Sequence, residues 1–268
     1  MLVHIHIHTS ASDVTWDRHE LIERLPENKI GPFSITDHDT IENSRAIIDE
    51  LERYNLRFTI GVEISCTYMN KNYHLTAYSF DANNTSLLQS LEENQKAWDD
   101  YNSRMIRLLE ADDPNVDYSN YESYQYESTR GGWKSLNFLL DLGLVRDVSG
   151  YLNLLERLGD KLVFKDPETI INTVKKAQGL VFLAHPNAYF QGSSLPTEQL
   201  KKWIDFGISG IECYSSYPGL VKAEDYVSFC KENNLLISGG SDCHGTFNNT
   251  KLGNPIITLD MLNLGSLF

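Results

Sequence analysis

Apolar and ligand-type residues alternate from the start of the chain. In Val3-His4-Ile5-His6-Ile7-His8 an extended strand puts Val3, Ile5 and Ile7 on one side and three imidazoles on the other. Strand side chains repeat every second residue. Residues 17–25 carry Leu21, Ile22 and Leu25 at helical spacing, and Pro26 is expected to end that helix. Residues 31–36 read as a short buried strand running into Asp37-His38-Asp39-Thr40. A helix with Ile41, Ile47, Ile48 and Leu51 as its apolar stripe follows, and residues 58–64 and 73–78 are two further strands. The order is β-α-β-α-β-β, with a polar ligand-type residue in or just after each strand. A parallel barrel or an open α/β sheet presents a site in this way.

From about residue 85 the texture changes. Residues 87–109 form an amphipathic helix, 110–130 are acidic and rich in Tyr, Ser and Asn, and 131–164 read as two or three more helices. No strand-then-ligand unit occurs there, so residues 85–164 are expected to be a helical insertion subdomain covering the site. Residues 1–84 and 165–268 then form the α/β unit. Its rhythm resumes at Pro167. Helix 168–178 is expected to be closed by Gly179 as its C-cap, and strand 180–184 ends in His185-Pro186. Helix 197–206, strand 210–214, helix 224–233 and strand 235–240 follow, and Ser241-Asp242-Cys243-His244-Gly245 comes next. Ile256-Ile257 in the tail are expected to form a last strand.

Composition narrows the setting. A length of 268 residues suits one large α/β domain with an insertion. The net charge of −14 disfavours a broad nucleic-acid surface, so no long nucleic acid is expected. Phosphate substrates remain open, because bound cations invert the local charge. The four cysteines show no CxxC spacing, which suits a reducing, cytoplasmic compartment. With a strand starting at residue 3 no signal peptide is expected, and no apolar run approaches the roughly 18 residues of a membrane span.

The ligand-type residues fall at corresponding places in successive strands: His6, His8, Asp13, His38, Glu63, His74, His185, Asp242 and His244. Six of the eight histidines are in this set. Nine nitrogen and oxygen donors exceed what one ion takes. The count implies two or three divalent ions sharing a bridging carboxylate, and a shell without thiolate suits Mn, Fe or Zn. Clustered ions of this kind serve phosphate ester hydrolysis by a metal-activated hydroxide.

His6-Ile7-His8-Thr9 with Asp13, Thr36-Asp37-His38-Asp39, Gly61-Val62-Glu63-Ile64, Ala184-His185-Pro186 and Gly240-Ser241-Asp242-Cys243-His244-Gly245 resemble, in order and spacing, the PHP (polymerase and histidinol phosphatase) family. The resemblance implies a distorted (β/α)7 barrel with a trinuclear metal centre. It implies one ion held by His6, His8, Glu63 and Asp242, a second by Glu63, His74 and His185, and a third by Asp13, His38 and His244. Within the family the chain is most similar to the nucleoside 3′,5′-bisphosphate phosphatase and 5′–3′ exoribonuclease branch. The stretches that carry this are Tyr78-Ser79-Phe80-Asp81, the helix bearing Arg104, and Gly207–Tyr214. That branch usually has Gly-Arg-Pro-His in the insertion. Here Thr129-Arg130-Gly131-Gly132-Trp133 keeps the arginine and lacks the histidine.

The expected substrate is a small phosphorylated molecule, a nucleotide or short oligonucleotide. Asp13, His38 and His244 are the candidate catalytic residues, and one of them would protonate the leaving oxygen. Arg104 and Arg130 are the candidate phosphate contacts, since a guanidinium fork matches phosphate oxygens. Each is equally readable as a structural cation. Glu212 either orients a ligand histidine or pairs with a cation, and Asp39 is expected to cap the helix after it. His4 is expected to be buried and hydrogen-bonded. Trp98, Trp133, Tyr118, Tyr121, Tyr124 and Tyr126 either stack on a base or pack the insertion. The rival readings are a histidinol phosphate phosphatase, an amidohydrolase-type C–N hydrolase and a non-catalytic module. The second usually needs a metal-bridging lysine or glutamate on a middle strand, and no lysine ends a strand between residues 58 and 80. The third tends to lose ligands, and none is missing.

Overall fold

The structure is a computed structural model that describes residues 1–48, 50, 57–190 and 192–268. Strands β1 (Leu2–His4) and β2 (Ile30–Phe33) pair in parallel. A second sheet has the order β3 (Gly61–Tyr68), β4 (Lys71–Tyr78), β5 (Leu180–Leu183), β6 (Gly210–Tyr214), β7 (Leu236–Gly239). Single bridges link the sheets at both edges: His38 with Glu63 beside β3, and Ile7 with Cys243 beyond β7. Ligand-bearing segments from distant parts of the chain thereby meet at the strand ends. Among the described residues no helix is long and apolar enough to cross a membrane.

The sheet is mixed, because β4 runs antiparallel to both β3 and β5. The cause is local. Met69 and Asn70 both take positive φ, at 50° and 61°, and a two-residue turn of this hand returns the chain directly alongside itself. The hairpin lengthens β3 to Tyr68 through eight paired residues, whereas Phe58, among the described residues, makes a single bridge, to Phe33. The strand expected at 58–64 is therefore displaced towards the hairpin.

Helix α1 (Arg18–Glu27) buries Leu21, Ile22 and Leu25 and does not stop at Pro26. A proline in the last turn forfeits only its own N–H, and its fixed φ is helical. Helix α2 (Glu42–Ile48) buries Ile47 but leaves Ile48 exposed, and Leu51 lies outside the described residues. Asp39 does not cap α2. At φ 51° it turns its carboxylate to the Ser65 N–H and hydroxyl and the Asn94 amide.

Four helices follow β4: α3 (Thr85–Asp112), α4 (Tyr118–Ser123), α5 (Lys134–Asp141) and α6 (Val148–Leu158). Leu87 and Leu91 of α3 pack on the core of the large sheet. Met105, Ile106 and Leu109 join a separate core with Tyr121, Leu136, Phe138 and Tyr151, against which Tyr118, Tyr124 and Trp133 also pack.

Helix α7 (Pro167–Lys176) shows how sequence makes an element. Asp166 accepts from the Thr169 N–H, Pro167 opens the first turn, and Lys175 and Lys176 sit at the negative end of the dipole. Ile170, Ile171 and Val174 are buried. The left-handed residue after this helix is Gln178, at φ 64°, and not Gly179. Gly179 is there for space: a Cβ would come within 2.7 Å of Val174. Helices α8 (Thr197–Phe206) and α9 (Ala223–Glu232) complete the α/β layers. The tail forms no strand. It makes a bridge from Thr258 to Leu2 and leaves Ile256 exposed.

Candidate metal centre

All nine ligand-type residues come together. Their donor atoms fall into three groups, each with atoms within 4.8 Å of one another: His6, His8, Glu63 and Asp242; His8, Asp13, His38 and His244; and His38, Glu63 and His74. His185 joins through Glu63, with its Nε2 2.8 Å from Oε1. His8 and His38 are shared between groups, which the sequence-based division did not foresee.

Glu63 is the hub. Its Oε2 lies 3.3 Å from His6 Nε2, 3.1 Å from His8 Nε2 and 3.1 Å from His38 Nδ1. Its Oε1 faces His74 Nδ1 at 3.2 Å and His185. Asp242 Oδ1 sits 2.9 Å from His8 Nε2 and 3.3 Å from His6 Nε2. On the other side, His244 Nε2 is 3.4 Å from Asp13.

The backbone turns sharply to deliver two of these groups. His185 has φ 27° and Asp242 has φ 48°. Such conformations cost a non-glycine residue roughly 1–3 kcal/mol and collect at functional sites.

The donor set fits divalent metal. It is all nitrogen and carboxylate oxygen, and the imidazole nitrogens of His6 and His8 face each other at 3.2 Å. Glu63 Oε2, Asp242 Oδ1 and His74 Nδ1 are buried without a hydrogen-bond partner among the described residues. Converging nitrogen and carboxylate lone pairs of this kind are satisfied by positive charge, which protons supply in the metal-free protein and a divalent cation supplies by ligation.

Supporting contacts aim these ligands. Both carboxylate oxygens of Glu212 lie 3.1 Å from His6 Nδ1, and the His185 backbone N–H donates to the same carboxylate at 2.7 Å. An Nδ1–H held there leaves Nε2 free to ligate. His244 Nδ1 reaches the Asp242 carbonyl at 2.8 Å, which aims its Nε2 at Asp13. Asp37, which is not in any of the three groups, accepts from the Thr9 N–H and hydroxyl, both at 2.6 Å, and from Ser12 at 2.9 Å. It thereby holds the loop that carries Asp13. The insertion touches the same loop, where the Gly132 N–H donates to the Asp13 carbonyl at 2.7 Å.

Protonation follows from crowding of opposite charges. Burial opposes the charge on His6, but Glu212, Glu63 and Asp242 outweigh it and hold its pKa well above 6.5. His8 is raised to about 10 against burial by Asp242 and Glu63. Against burial, the imidazoles hold Glu63 and Asp242 well below the usual carboxylate range, and Asp13 is lowered too. Burial dominates at His38 and brings it to about 3, and burial pushes Asp37 up to about 6.

A metal titration checks this. Ligation needs a free imidazole lone pair, so loading stripped protein at neutral pH should release protons from the imidazoles whose pKa values are raised, and affinity should rise with pH. Calorimetry in buffers of different ionisation enthalpy reads the proton count. An enthalpy independent of buffer would show that His6 and His8 are already neutral.

One expectation changes, that for His4. His4 is fully buried, but neither ring nitrogen has a partner among the described residues, and burial lowers its pKa to about 4. Arg104 binds Asp160 at 3.0 Å, and Arg130 binds Asp141 through both terminal nitrogens at 2.9 and 2.8 Å. Each therefore already has a carboxylate partner that a phosphate would have to displace. Tyr189 and Tyr217, which sequence reading did not single out, flank His185 with ring centroids at 5.4 and 4.7 Å. Tyrosines in loops after strands carry no distinguishing spacing.

A family model described as the PHP domain matches residues 4–178. The chain is 27% identical over 269 residues to a 5′–3′ exoribonuclease of Haemophilus influenzae, across 96% of this chain and 94% of the relative. It is 21% identical to a 3′,5′-nucleoside bisphosphate phosphatase of Chromobacterium violaceum, across 90% and 87%. A solved candidate metal-dependent phosphoesterase from Bifidobacterium adolescentis shares the fold, with a TM-score of 0.81 at 23% identity, covering 96% of this chain and 93% of that one.

Proposed function

The chain belongs to the PHP family of metal-dependent phosphoesterases, and from that premise we propose that it hydrolyses a terminal phosphate from a nucleotide or a short oligonucleotide. The observation that carries the reading is the convergence of nine donors around Glu63. On this reading the bridges at both sheet edges close a distorted barrel, and residues 85–164 form the insertion that covers its mouth.

His6, His8, Glu63 and Asp242 would hold one divalent ion. Glu63 would bridge to a second, held with His74 and His185, and Asp13, His38 and His244 would hold a third. Bound ions would acidify water and draw charge from phosphoryl oxygens. Side-chain exposure sets the approach. His38 and His74 are 27% and 32% exposed and Asp13 17%, whereas His6 and His8 are sealed. Substrate therefore enters over His38, His74 and Asp13. At that mouth the neighbouring imidazoles keep Asp13 ionised, and His244, whose Nδ1 is held by the Asp242 carbonyl, would present its Nε2 lone pair beside Asp13 as a ligand.

The names of the relatives favour a nucleotide end as the substrate, and the net charge of −14 favours a short one. A second reading, stepwise cleavage from a 5′ end, rests on the exoribonuclease names alone. The test is release of phosphate or nucleotide by Mn²⁺-reconstituted protein from mononucleotides, 3′,5′-bisphosphates, short 5′-phosphorylated RNA and histidinol phosphate. Activity should vanish on chelation and return with metal. Turnover of histidinol phosphate alone, or of an amide and no phosphate ester, would overturn the proposal.

A further inference from the structure

Four of the six insertion aromatics that the sequence offers for base stacking are spent on packing. Tyr118, Tyr121, Tyr124 and Trp133 belong to the core of the insertion or lie against it. Tyr126 is fastened by its hydroxyl to the Gly132 carbonyl at 3.2 Å. Trp98 remains, and it lines a cavity between the insertion and the β3–β4 hairpin. The cavity has a volume of about 320 Å³, within the range of small-molecule sites. Trp98 and Tyr101 of α3, Leu152 and Leu155 of α6, and Val163 form its apolar wall. Leu152 and Val163 are 53% and 59% exposed, so apolar surface here meets solvent. The Trp98 ring is braced by Tyr101 and Trp133, with centroids 6.1 and 5.8 Å away.

Thr67 and Asn72 of the hairpin form the polar wall, and it is fixed before any ligand arrives. The Thr67 hydroxyl donates to Asn72 Oδ1 at 2.7 Å and accepts from the Phe164 N–H at 2.8 Å. The Asn72 amide donates to the Leu162 carbonyl at 3.1 Å. The hairpin register ties this wall to the metal ligands. Glu63 lies opposite Thr76, Ser65 opposite His74 and Thr67 opposite Asn72. Alternate residues of a strand share a face, so Thr67 and Asn72 continue the face of Glu63 and His74, and Asn72 lies about 7 Å beyond His74 along it. His74, 32% exposed, is the ligand on that side of the mouth. At the rim of the cavity, Arg104 sits over the Tyr101 ring at 5.8 Å and is held by Asp160. The neighbouring Lys161 is exposed and, among the described residues, makes no ion pair. Aromatic surface beside a free cation is the chemistry that holds a base attached to a sugar phosphate.

We infer that this cavity is a nucleotide subsite: it takes the base of the nucleotide next to the reacting phosphate, stacked on Trp98, with Lys161 paired to a phosphate of that nucleotide. The subsite rests on the phosphoesterase reading of the neighbouring centre and deepens it, because it selects substrates that carry a base over other phosphate esters. It also gives the helical insertion a part in recognition, since α3 and α6 supply most of the apolar wall.

The test titrates metal-stripped wild type, Trp98→Ala and Val163→Glu calorimetrically with adenosine 5′-monophosphate and with ribose 5-phosphate, which lacks the base. Wild type should bind the nucleotide about tenfold more tightly than the sugar phosphate, and each substitution should remove that advantage, as expected for the loss of one base stack. Val163 is exposed, so Val163→Glu keeps the fold while setting a carboxylate against base and phosphate, and it decides the matter even where Trp98→Ala unfolds. In Mn²⁺-loaded protein the same variants should raise KM for a 5′-phosphorylated dinucleotide about tenfold and leave KM for glycerol 2-phosphate unchanged. Equal affinity of wild type for the two probes would overturn the subsite. Failure of wild type to bind the nucleotide, or unaltered nucleotide affinity in Val163→Glu, would do the same. Base-dependent binding that the variants lose, without hydrolysis of any phosphate ester, sinks the functional reading and leaves the cavity as a nucleotide site. Hydrolysis with no dependence on the base does the reverse.

Discussion

Glu63→Gln should empty the site and lower phosphate release on the order of a thousandfold, comparable to the loss of a central charge-stabilising group. The side chain keeps its volume, so packing is preserved. One carboxylate oxygen becomes an N–H2 donor, in a place where five imidazoles lie within 2.8–3.3 Å. A bridging role needs two anionic oxygens, and an amide offers one neutral acceptor. The metal-free protein should also change. His6 and His8 owe their raised pKa values partly to this carboxylate, so proton release on metal loading should fall in the variant. Metal analysis by mass spectrometry, with phosphate release measured on the same samples, checks the prediction. Full metal content with full activity would show that Glu63 is not the hub.

The second large effect separates two histidines that look alike in the first strand. His8→Ala should lower metal content and activity together, because His8 belongs to two of the three donor groups. His4→Leu should keep both. It should also raise stability by about 1–3 kcal/mol, since it removes two buried nitrogens that have no partner among the described residues. The pH dependence follows from the depressed pKa. Unfolded chains protonate this histidine below 6.5, and the folded protein resists until about 4. Stability is thus lost as pH falls through that window, by roughly 3 kcal/mol at about 1.4 kcal/mol per pH unit. In His4→Leu this share of the acid sensitivity should be absent. Denaturant unfolding of metal-free protein between pH 4 and 7 measures it. Equal metal loss in His4→Leu and His8→Ala would show that the division is wrong.

The nine candidate donors that meet around Glu63 could be picked out before any coordinates because each sits in or just after an element whose apolar pattern is clear. Val3, Ile5 and Ile7 place the histidines between them by strand parity, and short strands ending in His185 and Asp242 repeat the arrangement. The antiparallel hairpin was less legible. Met69-Asn70 is not a common spelling of a tight turn, and its left-handed backbone shows only in three dimensions. Asp39 looked like a cap because Asp precedes many helices. The pull of Ser65 and Asn94, 26 and 55 residues away in sequence, won instead.

By itself, the amino-acid sequence determined the α/β rhythm, the helical stretch between its halves, the candidate all-nitrogen-and-oxygen donor set and the phosphoesterase family. Periodicity and residue type are local properties, and local physics suffices to read them. Only the tertiary structure decided which ligands share a group, that Glu63 lies at the hub, that His4 is buried without a partner, that aspartates hold Arg104 and Arg130, and that Tyr217 stands beside His185. Those outcomes depend on distances between segments far apart in the chain. Packing between distant segments settles them, together with the pull of opposite charges at Glu63, and linear spacing carries no information about either.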